Sequence, residues 1–348
     1  MNAVVEQKIR ARPLLGTFVE IAASGTSGSV HAAISQAFDA VAEVHALMSY
    51  QDPASELSRI NQFGIDGPVA VHSHTWEVLR AARELAEASA GLFDITIAPT
   101  LTRLGFLPPH ANFPRASRHG DWRHVALLPG QRVQFLRRVR IDLSGIAKGY
   151  AVDLAIRVLQ AAGMQSGRVN AGGDLRVFGT TAQTIHVRAP HAPTQVLPLL
   201  NLTDGAAATS AAYFAQRRHA QRMVTPLIHP HTRSASSAER SITVLAPHCM
   251  HADALTKVVQ ADPAQAAKIL ARYQARAVIV EHDPVSGGFR VFDSAHTSGC
   301  PLSGSLPLAG ERDNVSLRMF KDALSPSSLP QAGERDKVSL REKRFIAA

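Results

Sequence analysis

The amino-acid sequence predicts an α+β fold rather than a doubly wound parallel sheet. Segments in which apolar residues keep helical spacing are mixed with short apolar runs typical of strands, without a regular strand–helix–strand repeat. Apolar residues make up 45% of the 348 residues, so a substantial core is expected. Because aromatic residues make up only 5%, Ala, Val and Leu must supply most of that core.

The first half of the chain predicts a strand, two helices and several irregular segments. Apolar residues three or four apart, such as Ile34, Phe38 and Val41, indicate a helix. Ser55 is a candidate cap of a short helix within a polar turn. The expected order is a strand over 14–23, helices over 28–48 and 73–89, a loop with a short turn over 91–106, an exposed loop over 107–121 and short strands within 123–144.

The second half predicts more strands. Its first helix carries Ala151, Leu154 and Val158 on one face and ends at Gly163. The expected order is a helix over 146–162, strands near 167–178, 184–189 and 195–201, a turn that becomes a helix within 208–219, a loop over 225–236, a strand over 241–246, a helix from 251–260 and a closing strand pair, 276–282 and 288–292.

The end of the chain differs in composition. The segment SLPLAGERDNVSLR at 305–318 recurs as SLPQAGERDKVSLR at 328–341, and two copies are too few for a solenoid. The polar, Pro- and Ser-marked composition favours disorder. We therefore expect an N-terminal extension over 1–11, one domain over 12–293 and a disordered, duplicated tail over 294–348.

Charge and cysteine content narrow the function classes. A formal charge of +9 favours anionic ligands, but no stripe of alternating aromatic and basic residues predicts a nucleic-acid partner. Cys249 and Cys300 are too few for a disulfide framework. The sequence contains neither an apolar run long enough for stable membrane insertion nor the apolar core of a signal peptide, so the expected location is the cytoplasm.

Two neighbouring motifs predict a site for a phosphorylated ligand. The segment IDLSGIAKGYAVD at 141–153 predicts a strand carrying Asp142, a small-residue turn, and a helix with Lys148 near its start. The segment NAGGD at 170–174 predicts a strand that ends in a Gly-Gly turn. Turns that lead into helix N-termini present free N–H groups to anions. An ordinary strand–turn–helix unit, capped by Ser144, is the alternative interpretation.

Three further patterns leave alternatives open. Asp94 lies in an apolar segment, where a carboxylate needs a partner unless it faces water from an edge strand. Thr209 and Ser210 suit a phosphate contact or a helix cap. A stretch rich in imidazole suits a transition metal, although its spacing matches no standard zinc signature. That stretch contains His229, His231, His248, His251 and Asp253.

Several segments, in order, resemble the FAD:protein FMN transferases, the ApbE-type flavin transferases. They cover roughly residues 12–293. The matching segments are LLGTFVEI, LMSYQDPASELSRIN, GLFDITIAP, IDLSGIAKGYAVD, VNAGGDLRVFG, ATSAAYF and SITVLA with HADALTKVV.

The resemblance implies an α+β fold related to tandem T-fold-like halves, with FAD as substrate and Mg²⁺ as cofactor. The implied reaction transfers FMN from FAD to a Thr or Ser hydroxyl of an acceptor protein and releases AMP. The implied acceptor is a flavoprotein subunit of a sodium- or proton-linked redox complex. By analogy with the family, the periplasm is an alternative location to the cytoplasm.

The resemblance also implies a site, position by position. The positions implied to contact FAD are Leu15, Tyr50, Leu92, Phe93, Asp94, Asp142 and Lys148. The implied metal ligands are the Gly145 carbonyl and Asp253.

The chain departs from the family pattern in three places. In PLIHPHTR, residues 226–233, Pro226 stands for a His, His229 for an Asp and Arg233 for a Gly. Ala212 stands for an acid, and Lys257 stands for a metal-binding Thr. We take His229 and Lys257 as the catalytic candidates. A Lys ammonium delivers positive charge without a metal, so we expect Lys257 to weaken Mg²⁺ dependence, unless it is simply a solvated helix residue.

Three other functions remain open from the sequence. An FAD pyrophosphatase would release FMN and AMP to water. A non-catalytic protein would keep the FAD pocket and lack turnover, as the altered 226–233 loop suggests. A zinc hydrolase would use the histidine-rich stretch.

Overall fold

A computed structural model describes residues 5–117, 120–180, 182–189, 192–211, 215–236, 240–282 and 289–294. The repeated segments of the expected tail lie outside these residues. Among the helices described, none has both the length and the apolar composition that a membrane crossing needs.

Seven α-helices are found in the described residues, and their positions agree with most of the helical patterns in the sequence. They are α1 Val30–Met48, α2 Glu56–Phe63, α3 Ser73–Ala88, α4 Ala98–Arg103, α5 Ala147–Ala161, α6 Cys249–Ala261 and α7 Pro263–Arg272. Ser55 caps α2 as predicted, because its side chain accepts a hydrogen bond of 3.0 Å from the Ser58 N–H.

The strands are numbered in chain order. The first nine are β1 Val5–Leu14, β2 Thr17–Thr26, β3 Val69–Ala70, β4 Val125–Leu128, β5 Arg132–Phe135, β6 Ser166–Ala171, β7 Asp174–Phe178, β8 Gln183–Ala189 and β9 Ala192–Leu202. They are followed by β10 Gly205–Ala211, β11 Arg217–His219, β12 Arg222–Val224, β13 Ile228–His229, β14 Ser234–Ala235, β15 Arg240–Ala246, β16 Arg276–His282 and β17 Phe289–Asp293.

One large antiparallel sheet organises the molecule. Its eight strands follow the order β1-β2-β6-β7-β10-β15-β16-β17, and each neighbouring pair is antiparallel. Helices α1, α5 and α6 pack against this sheet and side by side, with α5 between the other two. Phe38 and Tyr150 are among the largest buried side chains of this layer. The α+β prediction is therefore confirmed.

The segment predicted as one strand, 14–23, spans the turn of a hairpin. Leu15 and Gly16 connect β1 to β2 with φ of 56° and 71°. Two successive positive φ values are typical of two-residue hairpin turns. Residues 5–11, assigned to an N-terminal extension from the sequence, form most of β1.

Four other segments differ from the sequence prediction. The predicted loop over 225–236 contains a short antiparallel strand pair, β13 and β14. Residues 91–106, predicted as a loop, contain a short 3₁₀ helix, Ile95–Ile97, followed by α4. Pro99 does not prevent α4, because it lies in the first turn of the helix, where proline is tolerated. Asp142 follows β5 in an irregular segment rather than on a strand. The predicted turn and helix at 208–219 are wrong where β10 and β11 form. Pairing of β10 with β7 and β15 overrides the helical preference of its alanines.

Candidate active site

A cavity of about 470 Å³ lies among the turn before α4, the segment before α5, the 226–230 loop and α6. Six of the predicted site residues line it: Leu92, Phe93, Asp94, Asp142, Gly145 and Lys257. Ile97, Leu101, Phe106 and Leu107 extend an apolar wall on one side. Asp142, Ser144 and Lys257 supply polar groups, so the cavity combines an apolar wall with a charged floor.

Asp142 is held in place although it is not on a strand. The Asn61 side chain donates to the Ile141 carbonyl and accepts from its N–H, at 2.9 and 2.8 Å. The Asp142 N–H donates to the Ile95 carbonyl at 2.8 Å. Ser144 does not cap α5, because its hydroxyl donates to Asp142 Oδ2 at 2.5 Å. Burial raises the pKa of the Asp142 carboxyl, and the Ser144 hydrogen bonds oppose that rise.

The two motifs predicted to form one site meet at an ion pair whose carboxylate is buried. Lys148, in the first turn of α5, donates to Asp174 Oδ2 at 2.5 Å, and the Asp174 side chain is only 2% exposed. Gly172 and Gly173 have φ of 63° and 102°, which permits the tight turn that positions Asp174. Burial disfavours the charged form of Lys148, but the carboxylates of Asp174 and Asp253 outweigh it and raise the pKa of the ammonium.

A second ion pair lies where the resemblance implies a metal. Asp253 is fully buried on α6, and its Oδ2 accepts from the Gly149 N–H at 3.3 Å. Lys257, one turn later, donates from Nζ to Asp253 Oδ1 and, at 3.1 Å, to the Asp253 carbonyl. The Lys257 chain also covers Gly145, where a Cβ would lie 3.3 Å from Lys257 Cε. Lys257 therefore bonds to one implied metal ligand, Asp253, and its methylene groups lie beside Gly145, the residue that carries the other.

A third ion pair joins the 226–233 loop to the cavity wall. The Arg233 guanidinium donates to Asp94 Oδ2 at 2.9 Å, and Asp94 Oδ1 accepts from the Thr96 N–H and hydroxyl, each at 2.7 Å. Arg233 also donates to the Gly120 carbonyl at 3.1 Å. Burial raises the pKa of Asp94, and Arg233 opposes that rise. Asp94 is thus a partnered, buried carboxylate rather than one facing water.

The remaining predicted site residues lie outside the cavity lining as far as the described residues show: Leu15, Tyr50, Lys148, His229 and Asp253. Tyr50 is 2% exposed, and its hydroxyl lies 3.3 Å from Thr102 Oγ1, while its neighbour Gln51 lines the cavity. Leu15 lies in the β1–β2 turn, next to Thr17, whose side chain packs against Gly172. This turn therefore adjoins the NAGGD turn.

His229 lies in a smaller recess beside the cavity. The recess has a volume of about 260 Å³ and shares Leu227, Ile228 and Gln260 with the cavity lining. The His229 ring accepts from the Thr232 N–H at Nδ1, at 3.4 Å. A neutral imidazole that accepts at Nδ1 carries its proton at Nε2 and is a hydrogen-bond donor there.

The histidine-rich stretch does not form one metal site in the described part of the chain. Its rings pair as His229–His231 and His248–His251, with centroids 5.7 and 5.9 Å apart. The one group with metal-ligand spacing among the described residues is elsewhere, at Glu43, His72 and His74, and none of these three lines the cavity.

Asp153, a buried acid on α5, has a structural role. Its carboxylate accepts from the Cys249 and Met250 N–H groups at 3.0 and 2.9 Å, and from Arg176 at 2.8 Å. The free N–H groups at the start of α6 are satisfied from α5 in this way, because no side-chain cap is formed by His248. The bond fixes α6, and with it Asp253 and Lys257, against the segment that carries Asp142.

Residues 15–280 match the family model described as the ApbE family. The chain belongs to this family. A relative from Vibrio cholerae, named FAD:protein FMN transferase, is 30% identical over 229 residues, which cover 61% of this chain and 68% of the relative. A relative of the same name from Treponema pallidum is 27% identical over 285 residues, or 73% of this chain and 78% of the relative.

Solved structures of ApbE proteins have the same fold. The Thermotoga maritima ApbE protein superimposes with a TM-score of 0.72 at 26% identity, covering 82% of this chain and 96% of its own. The flavin transferase ApbE from Vibrio cholerae gives 0.70 at 25% identity, covering 84% and 98%. The family recognised from seven sequence segments is confirmed.

Proposed function

We propose that this protein transfers FMN from FAD to a Thr or Ser hydroxyl of an acceptor protein, forms a phosphoester bond and releases AMP. The observation that carries the proposal is the cavity of an ApbE-family chain, in which Leu92, Phe93, Asp94 and Asp142 lie together beside an ammonium group. The curated relatives from Vibrio cholerae and Treponema pallidum are named for this reaction. A volume of about 470 Å³ is within the usual range for ligand sites.

The two sides of the cavity suit the two chemical parts of FAD. The apolar wall around Leu92, Phe93 and Phe106 can pack against a flavin ring. Asp142, whose carboxyl is oriented by Ser144, can exchange hydrogen bonds with a ribose or base. Lys257 on the floor provides positive charge for the pyrophosphate.

Mg²⁺, which the resemblance implies at Gly145 and Asp253, does not fit the residues present. Asp253 Oδ1 and the Asp253 carbonyl accept from the Lys257 ammonium, and the Lys257 chain covers Gly145. A divalent ion needs oxygen ligands free to coordinate it, with no cation between them. The positive charge beside the phosphates therefore comes from the protein's own side chains.

The reaction is a displacement at the phosphorus of the FMN half of FAD. The acceptor oxygen forms a bond to this phosphorus, the bond from phosphorus to the bridging oxygen breaks, and AMP leaves with that oxygen. In a loose transition state the hydroxyl proton is lost late, and water can take it. His229 offers Nε2–H, so we assign it a hydrogen bond to a phosphate oxygen rather than the role of a base.

The acceptor that we propose is a flavoprotein subunit of a redox complex. The family acts on acceptor proteins, as the name of its relatives states. We propose that the protein acts in the cytoplasm. Fractionation of cells tests this proposal, and protein recovered in the periplasmic fraction would support the alternative location.

The test is incubation of the purified protein with FAD and a Thr-bearing peptide from such a subunit, with a Thr→Val peptide as control. We expect flavin fluorescence covalently bound to the Thr peptide alone, with AMP released in equal amount. FMN released without an adduct would indicate a pyrophosphatase and overturn the proposal. Intact FAD that stays bound would indicate a binding protein and overturn it as well.

A further inference from the structure

Lys257 occupies the space between Gly145 and Asp253. Its ammonium donates to two Asp253 oxygens, Oδ1 and the carbonyl, and its methylene groups lie over Gly145. An ammonium has three N–H groups, so a third remains to donate to a ligand. The side chain is 28% exposed and lines the cavity, which makes that donor accessible to a bound phosphate.

The charges around Lys257 explain why it stays there. Asp142, Asp174 and Asp253 are 5%, 2% and 0% exposed, and Lys148 is already paired with Asp174. Moving Lys257 away would leave the buried Asp253 carboxylate without the cation that is hydrogen-bonded to it, which is strongly unfavourable. A divalent ion beside Lys257 would add like-charge repulsion at short range. The arrangement thus favours one cation at this place, and the chain supplies it.

We propose that Lys257 is the built-in cation of this site and that pyrophosphate cleavage in this protein needs no divalent metal. This inference rests on the proposed transferase function. The ammonium would offset the charge that develops on the oxygens of the cleaved pyrophosphate. It neither gives nor takes a proton in the step, in which the acceptor–phosphorus bond forms as the bond to AMP breaks.

The first experiment measures AMP release and peptide flavinylation by the full chain, after dialysis against EDTA, with and without added Mg²⁺. We expect the wild-type rate to be the same in both conditions within about twofold. Lys257→Met, which removes the charge and keeps the length, should lower kcat roughly 10²–10³-fold. Lys268→Met, the same substitution on the exposed face of α7, is the matched control and should keep the wild-type rate.

The second experiment measures bound Mn²⁺ by electron paramagnetic resonance in the presence of FAD. Lys257→Thr should bind one Mn²⁺ per chain more than the wild type, because the space is vacated and Asp253 is released. The same stoichiometry in both proteins would overturn the inference, as would wild-type activity that EDTA abolishes and Mg²⁺ restores. A wild type that binds FAD but never releases AMP would refute the transferase function, and the Mn²⁺ measurement would still decide the inference.

Discussion

Replacing Arg233 by Gly tests the ion pair between the 226–233 loop and the cavity wall. Arg233 has φ of 54°, in the left-handed region that favours Gly, and the resemblance leads one to expect Gly there. Its guanidinium is paired with Asp94, whose side chain is 3% exposed. The substitution therefore relieves backbone strain and removes the partner of a buried carboxylate, two effects of opposite sign.

The magnitudes predict that the lost partner dominates. Relief of a left-handed conformation stabilises by about 1 kcal/mol. Removing one partner of a buried pair costs about 3–5 kcal/mol. The expected net loss in the free energy of unfolding is about 2–4 kcal/mol. In the Arg233→Gly background, the further substitution Asp94→Asn removes the unpaired charge. It should therefore recover about half of the lost free energy of unfolding.

The loss should also depend on pH. Burial already raises the pKa of Asp94, and without Arg233 the pKa rises further. The folded variant then binds a proton more tightly than the unfolded chain does, so its stability increases as pH falls through the raised pKa. The gap to the wild type should be larger at about pH 8 than at about pH 5.

The assay is urea unfolding followed by circular dichroism and by the fluorescence of the two Trp residues. Gln131→Gly is the matched control, because Gln131 is exposed and has the same φ of 54°. This substitution changes the backbone strain without removing a partner from a buried carboxylate. We expect this control to be as stable as the wild type or up to about 1 kcal/mol more stable. An Arg233→Gly protein with wild-type stability at about pH 8 would refute the reasoning.

Two further predictions concern α6. A methyl group at Gly149 would overlap the backbone at the start of α6, so Gly149→Ala should destabilise the protein by about 3 kcal/mol or more. Gly67→Ala, where the methyl group enters open space, is the control. Thermal unfolding of both variants should show a loss of stability for Gly149→Ala alone. Burial is the larger cause and His248 the smaller cause that lower the pKa of His251 below 6.5. The stability that this neutral His251 contributes is present above about pH 6.5 and should be lost as pH falls through the folded pKa. His251→Gln should flatten this decline when denaturant unfolding is measured at a series of pH values, and an unchanged slope would contradict the assignment.

Local patterns in the sequence predict the helices well, and they predict that the segments 141–153 and 170–174 lie together. Apolar spacing locates α1, α3 and α5, and the two glycine-marked motifs bring Lys148 and Asp174 together as one unit. The pair Asp253 and Lys257 is also a local signal, since residues four apart on a helix are neighbours. That spacing allows the ammonium either to reach Asp253 or to face solvent, and the structure shows that it reaches Asp253.

Other features depend on contacts that the sequence does not reveal. Arg233 and Asp94 are 139 residues apart, and only the fold brings them together. The strand β10 consists largely of Ala, and it forms because β7 and β15 pair with it from both sides. Asp142 is fixed by Asn61 through its neighbour Ile141, a link across 80 residues that no motif predicts.

Two of the departures from the family pattern, Lys257 and Arg233, each add a positive charge next to a buried carboxylate. Taken singly, each departure suggests a loss: Lys257 replaces a neutral metal ligand, Arg233 a Gly, and His229 an acid. Together, Lys257 and Arg233 add two positive charges beside the cavity, and each is paired with a buried carboxylate, Asp253 or Asp94. Because buried acids require partners, the metal-free site that we propose relies on cations within the chain, and Lys257 is the one that pairs with Asp253. The altered residues are therefore better explained as one compensated change in how the site is charged than as the decay of an active site.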